Sequence, residues 1–170
     1  MIKTRRPKTL LVLLIFFCWV ELRTLGALVF PETSGNFLMY EALGQTWVHY
    51  VETLLTLAAA SPAVFYLWKK KAGWFEATLA ALGIFTVTGV ASTWYTLQHL
   101  DIAREAYAAG REARGFPLTP ERLDQVFAPG VLWSGTAVFI ALYVIMAVMA
   151  WRRRGYFAPT AGETGTIDVQ

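Results

Sequence analysis

His49 and Glu52 stand three residues apart in Trp47-Val-His-Tyr-Val-Glu52, at the start of a long apolar run. On a helix this spacing puts an imidazole and a carboxyl on one face. A rise of about 1.5 Å per residue sets Glu52 roughly 9 Å inside a span that begins near Thr46. Charge at that depth is costly, and ionisable side chains within membrane spans generally face a bundle interior or a wet cavity and mark a functional site. The chemistry open to such a pair is proton transfer by positioned side chains. A second acid, Glu21, lies in the first apolar run two residues before Arg23. At i and i+2 these two point to nearly opposite sides of a helix and do not neutralise each other. Glu21 is expected to face the bundle, and Arg23, closer to the outer end, to snorkel or pair with another helix.

The rest of the chain reads as the container for these groups. Its 170 residues are 56% hydrophobic, 15% aromatic and only 16% charged, with mean hydropathy +0.44, which is the composition of an integral membrane protein with no separate soluble domain. Cys18 is the single cysteine and lies in the first apolar run. No intrachain disulfide and no cysteine-built metal centre can form, and neither a metal nor another cofactor is expected. The net charge is +3, with basic residues concentrated beside apolar runs, where they orient spans and attract anionic head groups. No nucleic-acid footprint is visible.

Four spans are predicted, at about 9–30, 46–68, 75–97 and 130–151. The first is too long for a signal-peptide core, and Glu21 and Arg23 stand where a small-residue cleavage site would be, so it is read as retained. Pro31-Glu-Thr-Ser-Gly-Asn36 breaks the chain, and residues 37–45 form a short interfacial helix carrying Tyr40 and Glu41. Ser61-Pro62 sits inside the second span, where the missing amide donor predicts a kink. After the third span come short helices at 103–114 and from Thr119-Pro-Glu-Arg122, where a threonine N-cap precedes proline at the first helical position. The polar tail, 158–170, is expected to be disordered.

Basic residues flank alternate ends of these spans: Lys3, Arg5, Arg6 and Lys8, then Lys69-Lys70-Lys71, then Arg152-Arg153-Arg154. The positive-inside rule therefore puts both termini in the cytoplasm. The expectation is an all-α, multi-pass integral membrane four-helix bundle, of a bacterial inner membrane or the endoplasmic reticulum. Glu21, Glu52, His49, Trp94, Gln98 and His99 then converge on one cavity in the outer half.

Each candidate has a structural reading beside the functional one. Glu21 and Glu52 can staple spans together by interhelical hydrogen bonds, and His49 can be an interfacial hydrogen-bonding residue. Haem ligation by His49 and His99 is geometrically conceivable but lacks supporting motifs. Trp47, Tyr50, Trp94, Trp133 and Tyr143 suit packing and the interfacial belt, while a cavity here would be lined by some of them, together with Thr86 and Gln98.

Val20-Glu-Leu-Arg-Thr-Leu-Gly-Ala-Leu-Val-Phe-Pro31 resembles the first helix of the EXPERA membrane proteins, which include emopamil-binding sterol isomerases and the sigma-2 receptor. Glu52 is similar to the family's second-helix glutamate. Tyr66-Leu-Trp-Lys-Lys-Lys-Ala-Gly-Trp74 resembles its basic turn, and Arg122-Leu-Asp-Gln-Val-Phe-Ala-Pro129 the approach to its fourth helix. The likeness is one of layout over residues 10–155. Pro62 lies farther beyond Glu52 than in the family, only Glu41 stands near the position of the sigma-2 branch's second acid, and His49 is three rather than four residues before the glutamate.

The resemblance implies a bundle enclosing an apolar pocket, open laterally to lipid, in which Glu21 and Glu52 hold a cation or a developing carbocation. In an isomerase one acid donates a proton to an alkene, a base such as His49 removes another, and aromatic faces stabilise the cation between. Without that chemistry the pocket binds sterols, isoprenoids or hydrophobic amines. The expected partners are thus a lipid-like small molecule and membrane lipids, with a homodimer also compatible. The opposing reading is a structural subunit or assembly factor whose Glu21 and Arg23 face partner helices; a transporter finds little support without an internal repeat.

Overall fold

A computed structural model describes residues 7–157. Among these the chain is all helical: α1 (Lys8–Val29), a 3-10 turn (Pro31–Thr33), α2 (Gly35–Ala42), α3 (Thr46–Lys69), α4 (Trp74–Gln98), α5 (Leu100–Ala113), α6 (Pro120–Val126) and α7 (Pro129–Trp151). Helices α1, α3, α4 and α7 are long and apolar enough to cross a membrane, and match the predicted spans to within a residue or so. The tail expected to be disordered lies outside the described residues.

Local chemistry sets the breaks. Proline at 31 disfavours helical geometry at Phe30 and ends α1. Lys70 adopts a left-handed conformation with φ 54°, its N–H returning to the Tyr66 carbonyl, and Gly73 with φ 89° leads into α4. So short a turn makes α3 and α4 antiparallel neighbours. Pro62 lies inside α3, which continues through it. Ser61 and Pro62 face outward while Ala59, Ala60 and Ala63 are buried, small side chains that allow close helix approach.

Helix α1 packs along α3, α3 along α4 and α4 along α7, whereas α7 touches α1 only sparsely. One apolar core joins the four spans through Leu13, Phe17, Ala63, Leu67, Trp74, Phe85 and Met146. Trp74 meets Phe157 and Phe75 meets Trp151 edge to face, so the Lys69-Lys70-Lys71 turn and the Arg152-Arg153-Arg154 segment share one end of the bundle. At the opposite end α2, α5 and α6 build a separate cap around Met39, Tyr40, Ala103 and Phe127. An ion pair between Arg104 and Asp124 lies on its outer surface. The short helices expected at 37–45 and 103–114 therefore begin earlier, and they pack on each other rather than lying singly at the interface.

Threonines within the spans hide their hydroxyls by donating to the carbonyl four residues back, as at Thr24, Thr53, Thr56, Thr86 and Thr96. This satisfies a polar group without water. The Thr93 hydroxyl instead meets that of Thr136, which also donates to the Leu132 carbonyl, at 2.6 Å and ties α4 to α7.

The cap's tightest approach is α2 on α5, where a Cβ on Gly110 would collide with the Leu38 Cδ1 methyl. We expect Gly110→Ala to lower stability in detergent by about 1 kcal/mol, because Leu38 can yield only in part. Leu38→Ala should absorb most of that loss in a double-mutant cycle read by thermal denaturation. Additive losses would refute the contact.

Candidate functional site

The two cores leave a cavity of about 510 Å³ between them, among α1, α3, α4 and α7 and beneath the segment leading into α2. This lies within the ordinary range for small-molecule sites. Helix α1 lines it with Phe16, Trp19, Val20, Arg23, Thr24 and Ala27, a face repeating at three and four residues. Helix α3 contributes His49, Glu52, Thr53 and Thr56; α4 contributes Phe85, Thr88, Gly89 and Ser92; α7 contributes Phe139, Leu142 and Tyr143. Ser34 and Asn36 close the cap side, and the Asn36 amide donates to the Ser92 hydroxyl at 3.0 Å.

The lining is graded along the bundle axis. Phe16, Phe85 and Tyr143 form an aromatic floor over the inner core, with ring centroids 6.3 Å apart for Phe16 and Tyr143 and 6.1 Å for Phe85 and Tyr143. Toward the cap the lining turns polar, with Glu52, His49, Arg23, Ser92, Ser34 and Asn36. Helical rise from Phe16 to Ala27 makes the lined stretch about 16 Å long. On the side where α1 and α7 barely touch, Trp19, Arg23, Phe139 and Leu142 are exposed, so the cavity has a lateral mouth between those helices.

Glu52 is half-buried, and its Oε1 accepts a hydrogen bond from the Tyr40 hydroxyl at 3.0 Å. Tyr40 is fully buried in α2, its ring 5.5 Å from that of Tyr95. Burial first, and the neighbouring Glu52 charge second, push the Tyr40 phenol well above its ordinary range. It therefore keeps its proton and serves as donor. Buried His49 lies with Nε2 3.2 Å from the Ala27 carbonyl, so Nε2 carries hydrogen and donates, and the rings of Phe37 and Tyr50 pack on it edge to face.

Of the residues singled out from sequence, Glu52, His49 and Tyr143 meet in the cavity. The expected pairing of Glu21 with Glu52 does not form. Glu21 continues the row of Leu14 and Phe17 along α1 and is absent from the lining; Arg23, expected to snorkel or to pair with another helix, lines the cavity instead and is exposed there. Trp47 and Trp94 are 63% and 58% exposed and turn outward, as an interfacial belt would. Tyr50, one residue on from His49, is rotated by about 100° to the rim ring cluster. Thr86 bonds its own helix, Gln98 is exposed at the end of α4, Trp133 lies on the outer first turns of α7, and the His99 ring lies tilted against that of Tyr95, centroids 4.7 Å apart. None of these lines the cavity. Tyr40 and Arg23 were the residues missed. The Phe16, Val20, Arg23, Ala27 spacing was a visible signal for Arg23, whereas Tyr40 comes from another element and had none.

Tyr40→Phe should cost about 1–3 kcal/mol of stability, because it leaves the half-buried Glu52 carboxyl without its one side-chain donor among the described residues. Thermal denaturation of Tyr40→Phe, Glu52→Gln and the double variant should show coupling; independent effects would exclude the bond.

No family model matches the chain, and neither a curated protein nor a solved structure matches it significantly.

Proposed function

We propose that this is a multi-pass membrane protein that binds an apolar, sterol-, isoprenoid- or hydrophobic-amine-like ligand in an intramembrane pocket. The observation that carries the reading is the cavity itself: about 510 Å³, aromatic at its floor and polar at its cap end. Its lateral mouth opens where lipid would lie. A ligand partitioned into the bilayer can enter between α1 and α7 without crossing water. The apolar body packs on Phe16, Phe85 and Tyr143, and a polar end meets the groups near Glu52. The positive-inside rule supports an orientation in which the basic end, with both termini, faces the cytoplasm and the cap faces outward.

His49 and Glu52 on one wall of the cavity favour a second reading, acid/base isomerisation of a carbon–carbon double bond. Glu52 would protonate an alkene carbon and His49 would remove a proton from a neighbouring carbon, with Tyr143 and the phenylalanines facing the intermediate cation. Glu52→Gln keeps shape and hydrogen-bonding capacity but cannot donate that proton. In this reading it abolishes turnover while the fold persists, and His49→Gln slows turnover without changing affinity for a neutral ligand.

Gly89 supplies the direct test of the pocket, because it lines the cavity and a Cβ there meets nothing within 4 Å. Gly89→Phe should fill the space without disturbing the bundle. We expect unchanged thermal stability and at least about tenfold weaker binding of sterols, isoprenoid alcohols or hydrophobic amines to the purified protein. Unchanged binding would remove the cavity as the site. Obligatory partner chains in mild detergent with no co-purifying lipid would instead favour a structural subunit.

Orientation is checked by cysteine labelling on a Cys18→Ala background. Cysteines at Glu32 and Phe116 should react with an impermeant reagent from outside, and one at Gly162 should not; external labelling at Gly162 would invert the topology.

A further inference from the structure

Arg23 has no role in the reading above, and its setting is unusual. A guanidinium inside a membrane span is costly and normally pairs with an acid or lines a site for a charged species. Arg23 lines the cavity, yet among the described residues it makes no ion pair and no hydrogen bond. It rests over the face of Trp19, 5.6 Å from guanidinium carbon to ring centroid. Glu52, the cavity's acid, is already engaged by Tyr40. Glu21 is not its counterion either, since i and i+2 diverge on a helix. Arginine keeps its charge even where burial is unfavourable, so the cavity holds a fixed cation that no carboxylate of the described residues contacts.

We propose that the ligand is an anionic amphiphile whose carboxylate or phosphate head is held by Arg23, with its hydrocarbon chain on the aromatic floor. The inference rests on the pocket reading and replaces the neutral or cationic ligands named there with an anionic one. The grading of the cavity fits this orientation. Arg23 lies about two helical turns toward the cap from Phe16, at the lateral mouth, where a head group can reach it from the bilayer interface while the chain points inward. The planar guanidinium offers parallel donors matched to a carboxylate or phosphate, and Ser34 and Asn36 add polar groups to the lining on the cap side. Trp19 holds the guanidinium from below, so little ordering is required on binding.

The test compares oleate, oleyl phosphate, oleyl alcohol and oleylamine, four amphiphiles with one tail, by equilibrium binding to the purified full-length protein in neutral detergent. Inorganic phosphate is a competitor without a tail. An ionic hydrogen-bonded pair predicts that oleate or oleyl phosphate binds about tenfold to a hundredfold more tightly than oleyl alcohol, and whichever of the two is favoured identifies the head. Arg23→Gln should erase that preference. Arg23→Lys should retain part of it, and Arg152→Gln, at the opposite end of the bundle, should retain it all. Preference for oleylamine, an undiminished anion preference in Arg23→Gln, or displacement by inorganic phosphate at matching concentrations would overturn the proposal. If oleyl alcohol binds without any anion preference, the pocket stands and the anion subsite falls. If no amphiphile binds, both fall.

Discussion

Where helices cross an apolar layer there is no water to complete an unmet hydrogen bond, so every polar group in the spans needs a partner within the protein or a cavity to face. The bond from Tyr40 to Glu52 is the central case. It satisfies a carboxyl in the second span with a phenol from the cap, and so joins the two halves of the molecule. The same demand accounts for the bonds of Thr24, Thr53, Thr56, Thr86 and Thr96 to their own helices and for the meeting of Thr93 with Thr136, although the Thr9 and Thr78 hydroxyls are buried without a partner among the described residues.

The two-core arrangement follows from this constraint. The inner core packs four spans through leucine, phenylalanine and alanine contacts, and the cap packs three short helices around Met39, Tyr40, Ala103 and Phe127. Neither core extends across the level of Glu52 and His49. The cavity is thus the gap between two packed units, bridged by Tyr40 to Glu52, Asn36 to Ser92 and Tyr95 to Gln45. Polar bridges of this kind hold a fixed separation without filling it, which leaves room for a ligand where uninterrupted apolar packing would not.

Sparse contact between α1 and α7 gives that space its access. Helix α7 buries only Met146 and Ala150 fully and is tied to α4 by the threonine pair. Its residues Phe139, Leu142 and Tyr143 therefore form a wall beside an open gap to α1. A site with such a mouth is suited to compounds that arrive by partition into the membrane rather than through water.

The spans were legible in the chain because hydropathy over about twenty residues is a local property, and only helices and closed barrels can carry backbone through an apolar layer. The breaks at Pro31 and at the lysine turn were legible for the same reason, since they depend on neighbouring residues alone. His49 and Glu52 could be placed on one face by their spacing. What spacing could not supply was the rotation of each helix about its axis, which is set by packing against the other helices. That rotation put Arg23 rather than Glu21 into the cavity and turned Trp47 and Trp94 outward. Tyr40 was out of reach for a related reason: its partnership with Glu52 depends on the cap docking over the spans, a contact between separate elements that only the tertiary structure decides.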